Sequence, residues 1–386
     1  MLTITHLLTV GFIAMVIVGA LQQLFPVLVG VQLPRPLHFS RLIYGGLMVG
    51  VLALCSGFLI VQPALIGLGG LVLGISFLWL LITLGLAVLK SEAGSNVTAG
   101  MKLALISMLL TIALGLYLAS AYALSYISLY RFITELHIQW GFLGWVGLLI
   151  ITISYQVVPM FQVTPKYPQK MVTWLAPSIF VSLIMITTAR FWSFESGGVG
   201  VRAITALELV LFCSYTLYAI VTIRLQLQRR RKVPDITLEY WRFGLYCLLF
   251  AAVIWPLAKV SVIVYQQLEL TLGVLMVVGF TMSLITGMLY KIIPFLVWLH
   301  LTNSIDMSAR WELKVPNMKE IIPDWHARNQ FRLHLIAVAL ILLSLPVTLL
   351  VPIAASAFVA SNLYLAFNLV RGALTYGHTL RHVQPS

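Results

Sequence analysis

The chain of 386 residues is 61% hydrophobic and only 9% charged, which excludes an ordinary soluble domain. Its net charge of +13 invites a nucleic-acid reading, but the basic residues fall in alternate connections rather than on one soluble face, so no nucleic-acid partner is expected. Cys55, Cys213 and Cys247 all lie in apolar stretches without a C-x-x-C pair, leaving no disulfide or zinc signature.

Apolar runs repeatedly exceed the roughly 20 residues needed to cross a hydrocarbon core. They predict spans at 4–30, 40–62, 64–89, 101–128, 137–162, 170–191, 200–225, 239–265, 270–299, 329–351 and 353–376. The fold class is therefore all-α and polytopic, a single membrane domain over residues 1–386 with about 11 transmembrane helices. Barrel strands are not expected, because the runs are continuous where a strand would alternate. The first span reads as a helix and not as a signal peptide: no Lys or Arg precedes it, it is too long, and no small-residue cleavage site follows.

The loops after spans one, three, five, seven and nine, with the C-terminal tail, hold most of the 24 Lys and Arg, including Arg229, Arg230, Arg231 and Lys232. The opposite side holds Arg131, Arg190, Arg202 and Lys259. The positive-inside rule then puts the N-terminus outside and the C-terminus in the cytoplasm, in a bacterial inner (plasma) membrane. The lipid bilayer is the first partner, with anionic lipid the natural contact of the basic loops.

Aligned without gaps, GFIAMVIVGALQQLFP from Gly11, GWVGLLIITISYQVVP from Gly144 and GFTMSLITGMLYKIIP from Gly279 share a skeleton. Each has a glycine and an aromatic, then a small residue (Gly19, Thr152, Gly287), a polar pair and a proline (Pro26, Pro159, Pro294). The starts lie 133 and 135 residues apart, with four spans from one copy to the next. Internal repeats follow at about 1–134, 135–268 and 269–386. Small residues let helices approach closely in lipid, and the proline bends each helix toward its inner end.

This pattern resembles the catalytic subunit of the heme-copper oxidase superfamily, most closely its divergent branch near the C-type oxidases and the NnrS-like nitric-oxide-tolerance proteins. In that family twelve helices form three arcs of four, and the second, sixth and tenth carry most metal ligands. Spans one, five and nine here correspond, so the resemblance implies a subunit I-like scaffold without the first helix. HIQWGFLGWVGLLIITISYQVVPMFQVTPKYPQK is the stretch most similar to the family's sixth helix.

The resemblance implies His6 as a heme ligand and His137 as a second heme or copper ligand. In strict register Gln139, not His137, matches His6, and a two-residue shift turns a side chain by about 200° on a straight helix. The departures weigh more: Val274 stands at the third register position, and Thr187, Thr188 and Arg190 stand where a histidine pair would complete a copper site. A guanidinium cannot serve as a metal ligand. A complete binuclear centre and oxygen reduction are therefore not expected; heme is the implied cofactor, with a single copper as the variant. Arg190 is the candidate to hold a heme propionate or another anion.

Glu208 and Lys259 fall at similar depth in neighbouring spans and form a candidate buried charge pair. His38, His300, His326, His334, His378 and His382 are assigned to the inner side, the last two at an i, i+4 spacing. The loop over 301–328 is expected to include a short amphipathic helix. Two functions follow. One is a degenerate oxidase relative that binds heme or a single metal near the outer face and acts in nitric oxide tolerance or as a redox accessory beside other respiratory membrane subunits. The other is a metal-free transporter or assembly factor for respiratory enzymes. Whether it is an enzyme stays open.

Overall fold

The computed structural model describes residues 1–31, 35–90, 96–195, 200–231, 233–259, 267–304 and 315–383. These form helices, and no strand occurs among them. Ten of the helices are long and apolar enough to cross a membrane, which makes this a polytopic membrane protein in contact with lipid. The chain divides into two units, Met1–Arg230 and Arg231–Ser386, parted inside the Arg-rich connection.

In the first unit α1 (2–29) runs through Leu2–Leu8, a π-helical segment Thr9–Ala14 and Met15–Val29. It stops at Gly30, whose left-handed φ of 74° lets its N–H reach back to the Pro26 carbonyl. Then come α2 (Pro36–Leu59) and α3 (Pro63–Leu89), each starting on a proline whose missing N–H costs nothing in a first turn. Next are α4 (Asn96–Ala123), α5 (Arg131–Gln162), α6 (Gln169–Glu195) and α7 (Val201–Leu227). After α5 the β-branched Val163 takes φ 56°, an unfavourable left-handed conformation. Its carbonyl is held by the Arg230 N–H at 3.0 Å.

The second unit contains α8 (Ile236–Lys259), α9 (Leu268–Ser304), α10 (Met318–Ile321), α11 (Asp324–Ser344) and α12 (Val351–Val383). The short α10, with a capping box between Asn317 and Glu320, falls in the loop where a small helix was expected; residues 305–314, including Trp311, lie outside the described residues. The tenth predicted span is α11. It is helical but does not qualify as a membrane span: its first half carries Asp324, Arg328, Asn329, Gln330, Arg332 and His334, and polar groups in hydrocarbon are tolerated only when partnered. Gln330 and His334 are buried against neighbouring helices instead.

The three skeleton helices share a feature that no alignment supplies. In α5 the residues Gln139–Val146 are π-helical, and in α9 the residues Val274–Met282. Together with Thr9–Ala14 these are the π segments among the described residues, and each spans its copy's Gly-aromatic pair. Single π turns inside α-helices are often found at functional sites.

The glycines show how the copies pack. A Cβ added at Gly144 would stand 2.9 Å from Ser107 Cβ of α4, and one at Gly279 2.8 Å from Cys247 Sγ of α8. Both face the preceding span, as do Thr152 toward Gly100 and Gly287 toward Tyr240. In α1 the matching positions meet α2 instead, Gly11 toward Val51 and Gly19 toward Tyr44, and Tyr44 Oη donates to the Met15 carbonyl at 3.0 Å. Along their most apolar stretches α5 and α9 are more than half buried inside the chain, whereas the corresponding stretches of α1 and α12 are less than a third buried.

Candidate functional site

His6 lies on the first turns of α1, and its Nδ1 faces the Leu2 carbonyl at 2.9 Å. A carbonyl only accepts, so Nδ1 carries the proton and Nε2 keeps its lone pair. The ring rests on Phe58 of α2, centroids 5.6 Å apart, and Phe58 meets Tyr122 of α4 edge-on at 5.5 Å. Cys55 Sγ donates to the Thr3 carbonyl at 3.5 Å, tying the start of α1 to α2.

His137 on α5 is fixed in the same tautomer from a different source. Its Nδ1 donates to the Thr111 carbonyl of α4 at 3.2 Å. Cε1 lies 3.0 Å from where a Cβ at Gly115 would stand, so a side chain there would crowd the ring. Both histidines remain partly exposed, so each offers a backbone-anchored Nδ1–H and a free Nε2.

The opposite face of α5 carries a second cluster. Arg131, Glu135 and Gln139 lie one turn apart and point toward α6 and α7. Arg190 bonds Glu135 through Nη1 and Glu208 through Nη2, the latter at 2.7 Å. Gln139 Nε2 donates to Glu208 at 3.2 Å, and Arg131 pairs with Glu135 at 3.2 Å. Arg190 thus grips carboxylates, two of the chain's own. Its Nε and the Gln139 Oε1 stay buried without a partner. Phe132 packs on Phe191 and Phe194, centroids 5.2 and 4.9 Å away, beside this cluster. The Glu208 partners seen here are Arg190 and Gln139; the Lys259 side chain lies outside the described residues.

Beyond the charges a buried polar seam joins α5 and the loop after it to α6 and α7. Trp140 Nε1 donates to Thr187 at 2.9 Å, Tyr215 Oη donates to the Leu143 carbonyl, Tyr167 and Thr222 share a hydrogen bond of 3.0 Å, and Gln226 donates to Gln162 at 3.0 Å. In the second unit Tyr240 and Tyr290 both donate to Gln330 Oε1, Asn368 donates to Tyr290 at 2.8 Å, and buried His334 bonds Ser283 at 2.8 Å. Sequence reasoning assigned His334 to the inner side and found none of these partnerships. The repeat register did mark Tyr155 and Tyr290 as polar positions, which is the one signal that touched them. Of the i, i+4 histidine pair, the His382 side chain lies outside the described residues.

Among the described residues no group of three or more His, Cys, Asp or Glu side chains gathers as a metal site. Two imidazoles suffice as axial ligands of a heme iron, while a three-histidine copper site would need a further ligand. No protein-family model matches the chain, and no curated protein matches it.

Proposed function

We propose that the protein is a degenerate relative of the heme-copper oxidase catalytic subunit that binds heme, or a single metal, through His6 and His137 and serves in nitric oxide tolerance or as a redox accessory in a respiratory membrane. One observation carries this reading: two imidazoles, each from a different copy of a repeated helix, both have Nδ1 bound to a backbone carbonyl and Nε2 left to ligate. Such outer anchoring orients a ligating histidine and raises its basicity. The π segments at matching places in α1, α5 and α9 support the triplicated scaffold. Bound heme would supply one-electron chemistry; the residues of this chain hold it and set its surroundings.

A second reading, a metal-free transporter or assembly factor, has its own support in the buried charges. Intramembrane ionisable groups such as Arg190 and Glu208 commonly mark substrate or ion pathways. The discriminating experiment is iron, copper and pyridine-hemochrome analysis of protein purified from membranes without added cofactor. Stoichiometric heme supports the first reading. Protein free of iron and copper after heme-replete expression removes it in favour of the second.

A further inference from the structure

Arg371 is embedded in the apolar span α12, about 20 residues past Val351. At 1.5 Å per residue this is roughly 30 Å along the helix, the thickness of a hydrocarbon core. A helix that enters the hydrocarbon near Val351 would bring this guanidinium to the opposite headgroup level. Two arginines of this unit have carboxylate partners, Arg328 with Glu239 at 2.6 Å and Arg231 with Asp235 at 3.7 Å, whereas Arg332 bonds the Asn329 side-chain oxygen. Among the described residues no carboxylate pairs with Arg371.

What it touches is an uncharged ring. Arg371 Nη1 donates to His326 Nε2 at 2.7 Å. His326 Nδ1 must then carry the proton, which it donates to Tyr364 Oη at 2.8 Å. Trp325 stacks on the imidazole with centroids 3.6 Å apart, and is itself 59% exposed. The half-buried guanidinium is therefore oriented by a neutral acceptor, with no carboxylate among the described residues to balance it. No nitrogen of Arg371 is sealed away without a partner, so its unused N–H edge stays open to the surroundings.

A cation so placed is costly unless an anion joins it. The arginine fork matches the paired oxygens of a phosphate, and tryptophan favours the headgroup region. We propose that Trp325, His326, Tyr364 and Arg371 form a binding site for the phosphate of an anionic phospholipid. This site is independent of His6 and His137.

The test is native mass spectrometry of the full chain released from detergent with phosphatidylglycerol, with phosphatidylcholine, or with phosphatidylglycerol plus excess inorganic phosphate. Wild-type protein retains phosphatidylglycerol in preference to phosphatidylcholine, and inorganic phosphate does not displace it. Arg371→Met weakens retention about tenfold, the effect of losing a charge-assisted contact. Arg371→Lys weakens it less, and Arg381→Met, at an exposed arginine of the same helix, leaves it unchanged. Should Arg371→Met misfold, Trp325→Leu at an exposed position still lowers retention. Equal retention by Arg371→Met, or by Trp325→Leu where Arg371→Met misfolds, overturns the proposal, as does equal retention of the two lipids. Full displacement by inorganic phosphate overturns the lipid as its occupant.

Discussion

Arg190 and Glu208 form an ion pair at 2.7 Å, with their side chains only 15% and 7% exposed. A charge held this deep depends on its partner, and removing one member of a buried pair costs about 3–5 kcal/mol. Arg190→Met is expected to lower the detergent-solubilised melting temperature accordingly. Arg190→Met with Glu208→Met recovers much of the loss, since an apolar pair of similar size leaves no stranded charge. Melting curves that change no more for Arg190→Met than for an exposed substitution contradict this assignment.

Close helix approach at the skeleton glycines makes a separate prediction. Gly279→Leu must displace Cys247, and Gly144→Leu must displace Ser107 and Trp140. Each is expected to destabilise by about 1–3 kcal/mol or more, the usual cost of overpacking. Gly45 has nothing within 4 Å of an added Cβ, so Gly45→Leu should be neutral in the same thermal assay.

The Arg371–His326 contact predicts a pH dependence. Burial first, and the Arg371 charge second, hold the His326 imidazole below its ordinary range near pH 6.5. The unfolded chain therefore takes up the proton first as pH falls. The stabilisation is complete above about pH 6.5 and is lost through the interval below it, toward the lower folded value. His326→Gln should flatten the melting temperature between pH 7 and 5 relative to wild type; parallel curves would show that His326 is not the titrating group.

Gly115 is predicted to be as demanding as the histidines themselves. With Cε1 of His137 only 3.0 Å from an added Cβ, Gly115→Val turns the ring away from the Thr111 carbonyl. Heme binding should fall as far as in His137→Ala while stability drops by about 1–3 kcal/mol. Unchanged heme binding in Gly115→Val would mean that His137 does not ligate from this pose.

The spans were legible because hydrophobicity in lipid is written in long unbroken runs, and ten of them recur as long apolar helices. The tenth predicted span was harder to judge: Arg328, Gln330 and His334 dilute its hydropathy, and only tertiary partners such as Glu239, Tyr240 and Ser283 explain why they are tolerated. The site was partly legible. His6 and His137 were singled out from the repeat, yet a straight-helix register favoured Gln139. Gln139 proves to face Glu208 on the other side of α5, where the register alone could not place it. The Arg190 cluster was invisible as a cluster, because Glu135, Arg190 and Glu208 are far apart in sequence, and hydropathy alone paired Glu208 with Lys259 and left Arg190 for an outside anion.

The most direct test of the central claim is a titration of purified, heme-free protein with ferric heme, read by its optical spectrum. Wild type is predicted to bind one heme in a six-coordinate, low-spin, bis-imidazole state, and His6→Ala and His137→Ala each to convert it to a five-coordinate or weakly bound form. A wild-type spectrum no different from that of the double variant His6→Ala/His137→Ala would contradict the claim that these two histidines converge on one ligand.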